Sequence, residues 1–131
     1  MINHGSLYAH RPQEAAQHLA ALTGGRAAPF HPCEGAWVCF LSGSEQDWDG
    51  PMVEFYPRSI TLANDDGQVV FRKLARPATG AGGHLNITAK TSRAELERVC
   101  RERGIPCAWR DWAGFLDVWL DPECLIELRP R

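Results

Sequence analysis

Apolar and polar positions follow two rhythms along this chain, and each rhythm comes round twice. Leu7 and Ala9, Val53 and Phe55, Leu85, Ile87 and Ala89, and Ile126 and Leu128 alternate with polar neighbours, the period of half-buried strands. Ala16, Leu19 and Ala20, and again Leu96, Val99 and Cys100, fall at i, i+3, i+4, the buried stripe of an amphipathic helix. Pro12 suits a first helical turn, Thr91 or Ser92 can cap the second helix with Glu95 completing a capping box, and Gly24 and Gly104 mark the stops.

Laid with His4 over His84, the two stretches place Ala9 on Ala89, Ala16 on Leu96, Leu19 on Val99 and Gly24 on Gly104. Val53-Glu54-Phe55-Tyr56-Pro57-Arg58 echoes Ile126-Glu127-Leu128-Arg129-Pro130-Arg131, each ending where proline cannot continue a central ladder. Each half therefore reads His, helix, several strands, Glu: a βαβββ unit used twice in an α+β fold. The expected architecture is a curved mixed-sheet cleft with the helices on its outer face, a single domain over 1–131. Its first module spans 1–58, a hairpin and Gly-rich connector 59–83, and the second module 84–131. Within the connector, Ile60–Ala63 and Gln68–Phe71 flank Asn64-Asp65-Asp66-Gly67, a hairpin turn signal. Gly80, Gly82 and Gly83 lead into a strand rather than a helix, so they read as a linker and not a phosphate loop. Ser42 to Pro51 reads as a long surface loop.

The 131 residues suffice for one such domain, and 14 Lys+Arg against 16 Asp+Glu leave a net charge of −2. That balance speaks against a nucleic-acid or membrane-surface partner. The apolar run Trp37–Leu41 is too short to span a bilayer, and the Met-Ile-Asn-His opening lacks a signal peptide's basic and apolar regions. A cytoplasmic location is the expectation. The five cysteines show no C-x-x-C spacing and read as small buried thiols in a reducing compartment.

Residues two apart share a strand face. One face then carries His4, Ser6 and Tyr8; Glu54, Tyr56 and Arg58; His84, Asn86 and Thr88; and Glu127 and Arg129. A lone His or Glu there would be ordinary strand polarity. Two imidazoles and two carboxylates at equivalent places of a repeat are different: around a shared cleft the carboxylates need a counter-charge, which a divalent cation supplies.

Gly83-His84-Leu-Asn-Ile, a helix ending Arg103-Gly104, then Asp121-Pro122 and Ile126-Glu127-Leu128 are similar to the glyoxalase pattern G-H-(I/L)-x-(I/L) … D-P-x-G-x-x-(I/L)-E-L. With the first-half His4 and Glu54, the ordered set resembles the vicinal oxygen chelate superfamily, which holds glyoxalase I, bleomycin and fosfomycin resistance proteins and extradiol dioxygenases. The resemblance implies metal ligands His4, Glu54, His84 and Glu127 around a divalent Ni, Co, Zn, Mn or Fe ion. It implies a lyase or isomerase acting on a small oxygen-chelating substrate through a metal-stabilised enediolate, with Glu127 first and Glu54 second as the carbon base. It also implies a homodimer, with the site inside one chain or shared across two. The family's glutathione-binding arginine is Tyr8 here, its asparagine after the first glutamate is Arg58, and the turn glycine after Asp-Pro is replaced by Glu123-Cys124. Tyr8 and Arg58 are thus candidate contacts to some other substrate, Arg58 as a carboxylate or phosphate fork. Trp119, alternating with Asp117 onto one face, is the candidate pocket aromatic. The competing readings are a metal-free ligand-binding or antibiotic-resistance module of the same fold, kept open by five Trp, and a ring-cleaving dioxygenase.

Overall fold

The structure, a computed structural model, describes residues 2–43, 46–80 and 83–131. Ser44 and Glu45 of the expected 42–51 loop, and Ala81 and Gly82 of the expected connector, lie outside the described residues. The elements are β1 (His4–Ala9), α1 (Pro12–Thr23), β2 (Arg26–Pro29), β3 (Trp37–Phe40), β4 (Met52–Pro57), β5 (Ile60–Asp65), β6 (Gln68–Lys73), β7 (His84–Thr88), α2 (Arg93–Arg103), β8 (Cys107–Arg110), β9 (Phe115–Asp121) and β10 (Cys124–Arg129). They build two four-stranded mixed sheets, β1-β4-β3-β2 and β7-β10-β9-β8, with β5 and β6 as a separate hairpin. This is the α+β pair of βαβββ modules expected from the sequence.

The repeat is kept to the residue. β1 runs parallel to β4 with His4 opposite Met52 and Ser6 opposite Glu54. β7 runs parallel to β10 with His84 opposite Leu125 and Asn86 opposite Glu127. Each histidine therefore faces the residue two before its module's glutamate. A one-residue slip in either half would send the histidine to the other side of the sheet, so the shared register fixes where both ionisable pairs point.

The helices form for the reasons the pattern gave. Pro12 sits in the first turn of α1, and the Ser92 hydroxyl accepts a hydrogen bond from the Glu95 amide at the start of α2. Gly24 (φ 73°) and Gly104 (φ 65°) end them in left-handed conformation, which costs glycine nothing. The Glu95 side chain turns to Arg98. The apolar stripes bury Ala15, Ala16, Leu19 and Leu22 on α1, and Leu96 and Cys100 on α2. They pack on Leu7, Ala9, Val53 and Phe55 of the first sheet and on Leu116, Val118, Ile126 and Leu128 of the second, in one continuous core. The two modules thus share their helical side, and α1 touches both α2 and β9. Where β1 meets β7 the approach is close: a Cβ on Gly5 would lie 3.1 Å from a Leu85 methyl.

The hairpin forms where expected but its strands run longer, with Asn64 and Asp65 still paired and only Asp66-Gly67 turning. The Asn64 side chain accepts from the Gly67 amide at 2.7 Å and closes the turn. Among the described residues no helix is long and apolar enough to cross a membrane.

Candidate functional site

The sheet face opposite the helices carries the repeated His and Glu, and the two modules treat it differently. In the first, Glu54 lies opposite Val38 and Met52 opposite Phe40, and Val38, Phe40, Met52 and Ala28 form a buried apolar cluster with Phe30. Trp48 meets Phe40 edge-on at 4.9 Å, and Phe30 packs against both Trp48 and Tyr56. Phe71 of the hairpin also packs against Tyr56, with ring centroids 5.6 Å apart. Under this cover Glu54 is 8% exposed. One oxygen, Oε2, accepts from the Ser6 hydroxyl at 2.8 Å and the Tyr56 hydroxyl at 2.7 Å. Burial, and then the facing carboxylate, push the Tyr56 hydroxyl well above the usual phenol range, which keeps it a donor.

In the second module the equivalent positions are polar. Asp117 stands opposite Glu127 where Val38 stands opposite Glu54, and Asn86 takes the place of Ser6. Glu127 is 6% exposed. Its Oε2 accepts from the Asn86 amide at 3.0 Å, and its Oε1 lies 3.4 Å from Arg110 Nη1 and 3.5 Å from His84 Nε2. Arg110 also forks onto Asp117, Nε to Oδ2 at 3.0 Å and Nη2 to Oδ1 at 2.7 Å. Its guanidinium lies over Phe115 at 4.8 Å and Trp112 at 5.5 Å. His84 is half exposed and Trp112 almost wholly so. The cluster is polar, with Glu127 buried at its base and His84 and Trp112 exposed at its edge.

The other expected site residues touch neither Glu127 nor Arg110 in any hydrogen bond or ion pair among the described residues. His4 borders a cavity of about 310 Å³ at the seam of β1 and β7, together with Met52, Leu85 and Asn86. The Tyr8 hydroxyl meets Thr61 at 3.0 Å and the ring joins the cluster around Tyr56. Trp119 borders a separate space of about 390 Å³ with His18, Ile105 and Asp121. Arg58, read as a substrate fork, is instead buried and engaged. Nε and Nη2 donate to the Ala78 and Gly80 carbonyls at 2.5 and 2.6 Å, and Nε lies 3.0 Å from Glu123. Its Nη1 is buried with no partner among the described residues. Glu123 completes this strap by accepting from the Gly80 amide and pairing with His10; the Gly80 amide first, then His10 and Arg58, hold its carboxyl below the usual range.

The expected four-ligand set is therefore not gathered in one chain. Among the described residues no three His, Cys, Asp or Glu side chains are spaced to hold an ion. The physical reason is local. Glu54 is satisfied by two hydroxyls beneath aromatic cover, and Glu127 already faces a guanidinium; the donors present do not fit a single divalent ion. The residues missed in the sequence are Arg110 and the role of Asp117. Alternation along 107–110 put Ala108 and Arg110 on one face, but the length of the turn into β9, and hence the strand facing them, was not legible.

Two tandem βαβββ modules, each led by a His and closed by a Glu, give the chain the fold of the vicinal oxygen chelate superfamily. Similar solved structures are lactoylglutathione lyase from Agrobacterium tumefaciens (19% identity, 99% of this chain and 92% of that one, TM-score 0.57), and fosfomycin resistance protein FosX from Mesorhizobium loti (8%, 98% and 90%, 0.59). An integron cassette protein from the mobile metagenome of V. cholerae is also similar (13%, 99% and 94%, 0.55). At these identities the likeness is one of fold. No family model and no curated protein sequence matches the chain.

Proposed function

We propose that the chain is a small-molecule binding module of this fold, working without a metal, and that its binding face is the second sheet. The observation that carries this reading is at the second sheet: Glu127 is buried, but His84 beside it and Trp112, which stacks on its partner Arg110, are exposed. An exposed indole next to an ordered set of donors and acceptors suits a planar aromatic ligand with a polar edge, stacked on one side and hydrogen-bonded on the other. His84 and Asn86 offer donors, and Asp117 offers an acceptor. The test is tryptophan fluorescence titration with aromatic carboxylates, amines and phenols in metal-free buffer. Saturable quenching lost in Trp112→Ala is expected. Quenching that survives that substitution, or none across all three ligand classes, would reject the reading.

A metal-dependent lyase or isomerase is the second reading, favoured by one observation: His84 Nε2 lies 3.5 Å from Glu127 Oε1, an imidazole and a carboxylate of the expected set side by side. It requires a homodimer in which His4 and Glu54 of a second copy complete the site, with Glu127 and Glu54 as the proton-handling carboxylates. Reconstitution with Ni, Co, Zn, Mn or Fe and an activity screen over hemithioacetals, epimerisable acyl thioesters and catechols tests it. Oxygen uptake with catechols would indicate ring-cleaving dioxygenase chemistry. In either reading the partner is a small molecule acting in the cytoplasm, with no role for nucleic acid or membrane.

A further inference from the structure

We propose that Arg110 is the resident cation of the second half-site, standing where a metal ion would otherwise balance Asp117 and Glu127. Three strands supply the pieces. His84 comes from β7, Glu127 from β10 and Asp117 from β9, with Glu127 directly opposite Asp117. An imidazole and two carboxylates on one face are the donor types of a divalent site, and with Arg110 among them these three are not spaced to hold an ion. The fourth strand, β8, inserts a guanidinium among them.

The insertion is well held. Arg110 spends its Nε–Nη2 fork on Asp117 and turns Nη1 to the same Glu127 oxygen that His84 approaches. The rings of Phe115 and Trp112 fix the plane of the guanidinium. A carboxylate as buried as Glu127 needs hydrogen-bond donors or a counter-charge, and a guanidinium, unlike a histidine, does not lose its proton at any physiological pH. The equivalent glutamate of the first module is treated by another route: Glu54 receives hydroxyl donors and an aromatic roof rather than a cation. Each half thus supplies its buried carboxylate with partners from its own side chains. The inference about Arg110 stands apart from the identity of the ligand, because it concerns charge and not stacking.

The prediction is a gain of function. Arg110→Met keeps most of the side-chain volume but leaves His84, Asp117 and Glu127 without their cation. Calorimetric titration with Ni²⁺ or Zn²⁺ should find no stoichiometric uptake by the wild-type chain and one equivalent bound by Arg110→Met. That uptake should vanish in Arg110→Met/Glu127→Gln, and Arg110→Lys, which keeps the charge, should behave as wild type. If Arg110→Met melts early in metal-free buffer, recovery of its melting temperature by Ni²⁺ supports the proposal equally. Stoichiometric metal on the wild-type chain that is lost in Glu127→Gln would overturn it, as would an Arg110→Met chain that takes up no metal, folded or not. Ligand quenching through Trp112 is read separately, so loss of that result would reject the binding reading and leave this one standing.

Discussion

The two modules share one backbone plan and diverge on a single face. At the place where the first sheet sets Ala28, Val38, Phe40 and Met52 around its glutamate, the second sets Ala108, Asp117, Trp119 and Leu125. In the first the face is a second small core, bordered by Phe30 and Trp48. In the second the same face is charged, with Arg110 between Asp117 and Glu127. Register and strand order are retained in both, so a duplicated frame does not compel a duplicated site. What decides is the residue opposite the glutamate: valine invites a roof, aspartate invites a counter-ion.

The contrast is broken most forcefully at Phe40. It is fully buried, and Phe40→Ala should cost about 3–5 kcal/mol, read by denaturant unfolding. Trp112→Ala, at an 84% exposed position, should stay within about 0.5 kcal/mol of wild type. Equal losses at the two positions would mean that the faces are not differently covered. Next comes the glutamate itself. Glu54→Ala strands the Ser6 and Tyr56 hydroxyls under the roof and should cost about 1–3 kcal/mol, whereas Glu54→Ala/Tyr56→Phe should recover part of that loss. Full additivity of the pair would deny the hydrogen bond its role.

A smaller effect separates the modules by pH. Burial holds the His18 imidazole below its ordinary pKa, and hydrogen bonding holds Glu123 below the ordinary carboxylate range. Both groups bind protons more weakly folded than unfolded, so their stability is present above the unfolded pKa and is lost as pH falls from there through the lower folded pKa. The melting temperature should drop between neutral pH and pH 5 through His18, and again below the carboxylate range through Glu123. His18→Gln should flatten the first step alone. The smallest effect is on thiols. Burial pushes Cys39, Cys100 and Cys124 up to about 12, while Cys107 is exposed. A thiol reagent at pH 8 should label Cys107 rapidly and the buried cysteines only on unfolding.

Much of the frame was legible from the chain alone because it depends on period and punctuation. The alternation at 53–55 and 126–128, the stripes of both helices and the glycine stops each state a local preference, and the alignment of His4 with His84 states the register. The site was legible only to the level of which face. Whether Glu54 faces solvent or a roof depends on Phe30, Trp48 and Phe71, which arrive from three separate connections. No local rule announces their convergence. Arg58 was misplaced for a related reason: strand alternation gives its side but not the connector that folds back over it, where Ala78 and Gly80 offer carbonyls. Arg110 and Asp117 required knowledge of how β8 pairs with β9.

The helical sides of both modules melt into one core, with α1 reaching across to β9. The apolar faces of the two repeats are thus closed against each other on the helical side, and neither is fully covered without its neighbour. Calorimetry should therefore record a single cooperative transition, and a chain cut between the repeats should yield fragments that hold structure only when mixed.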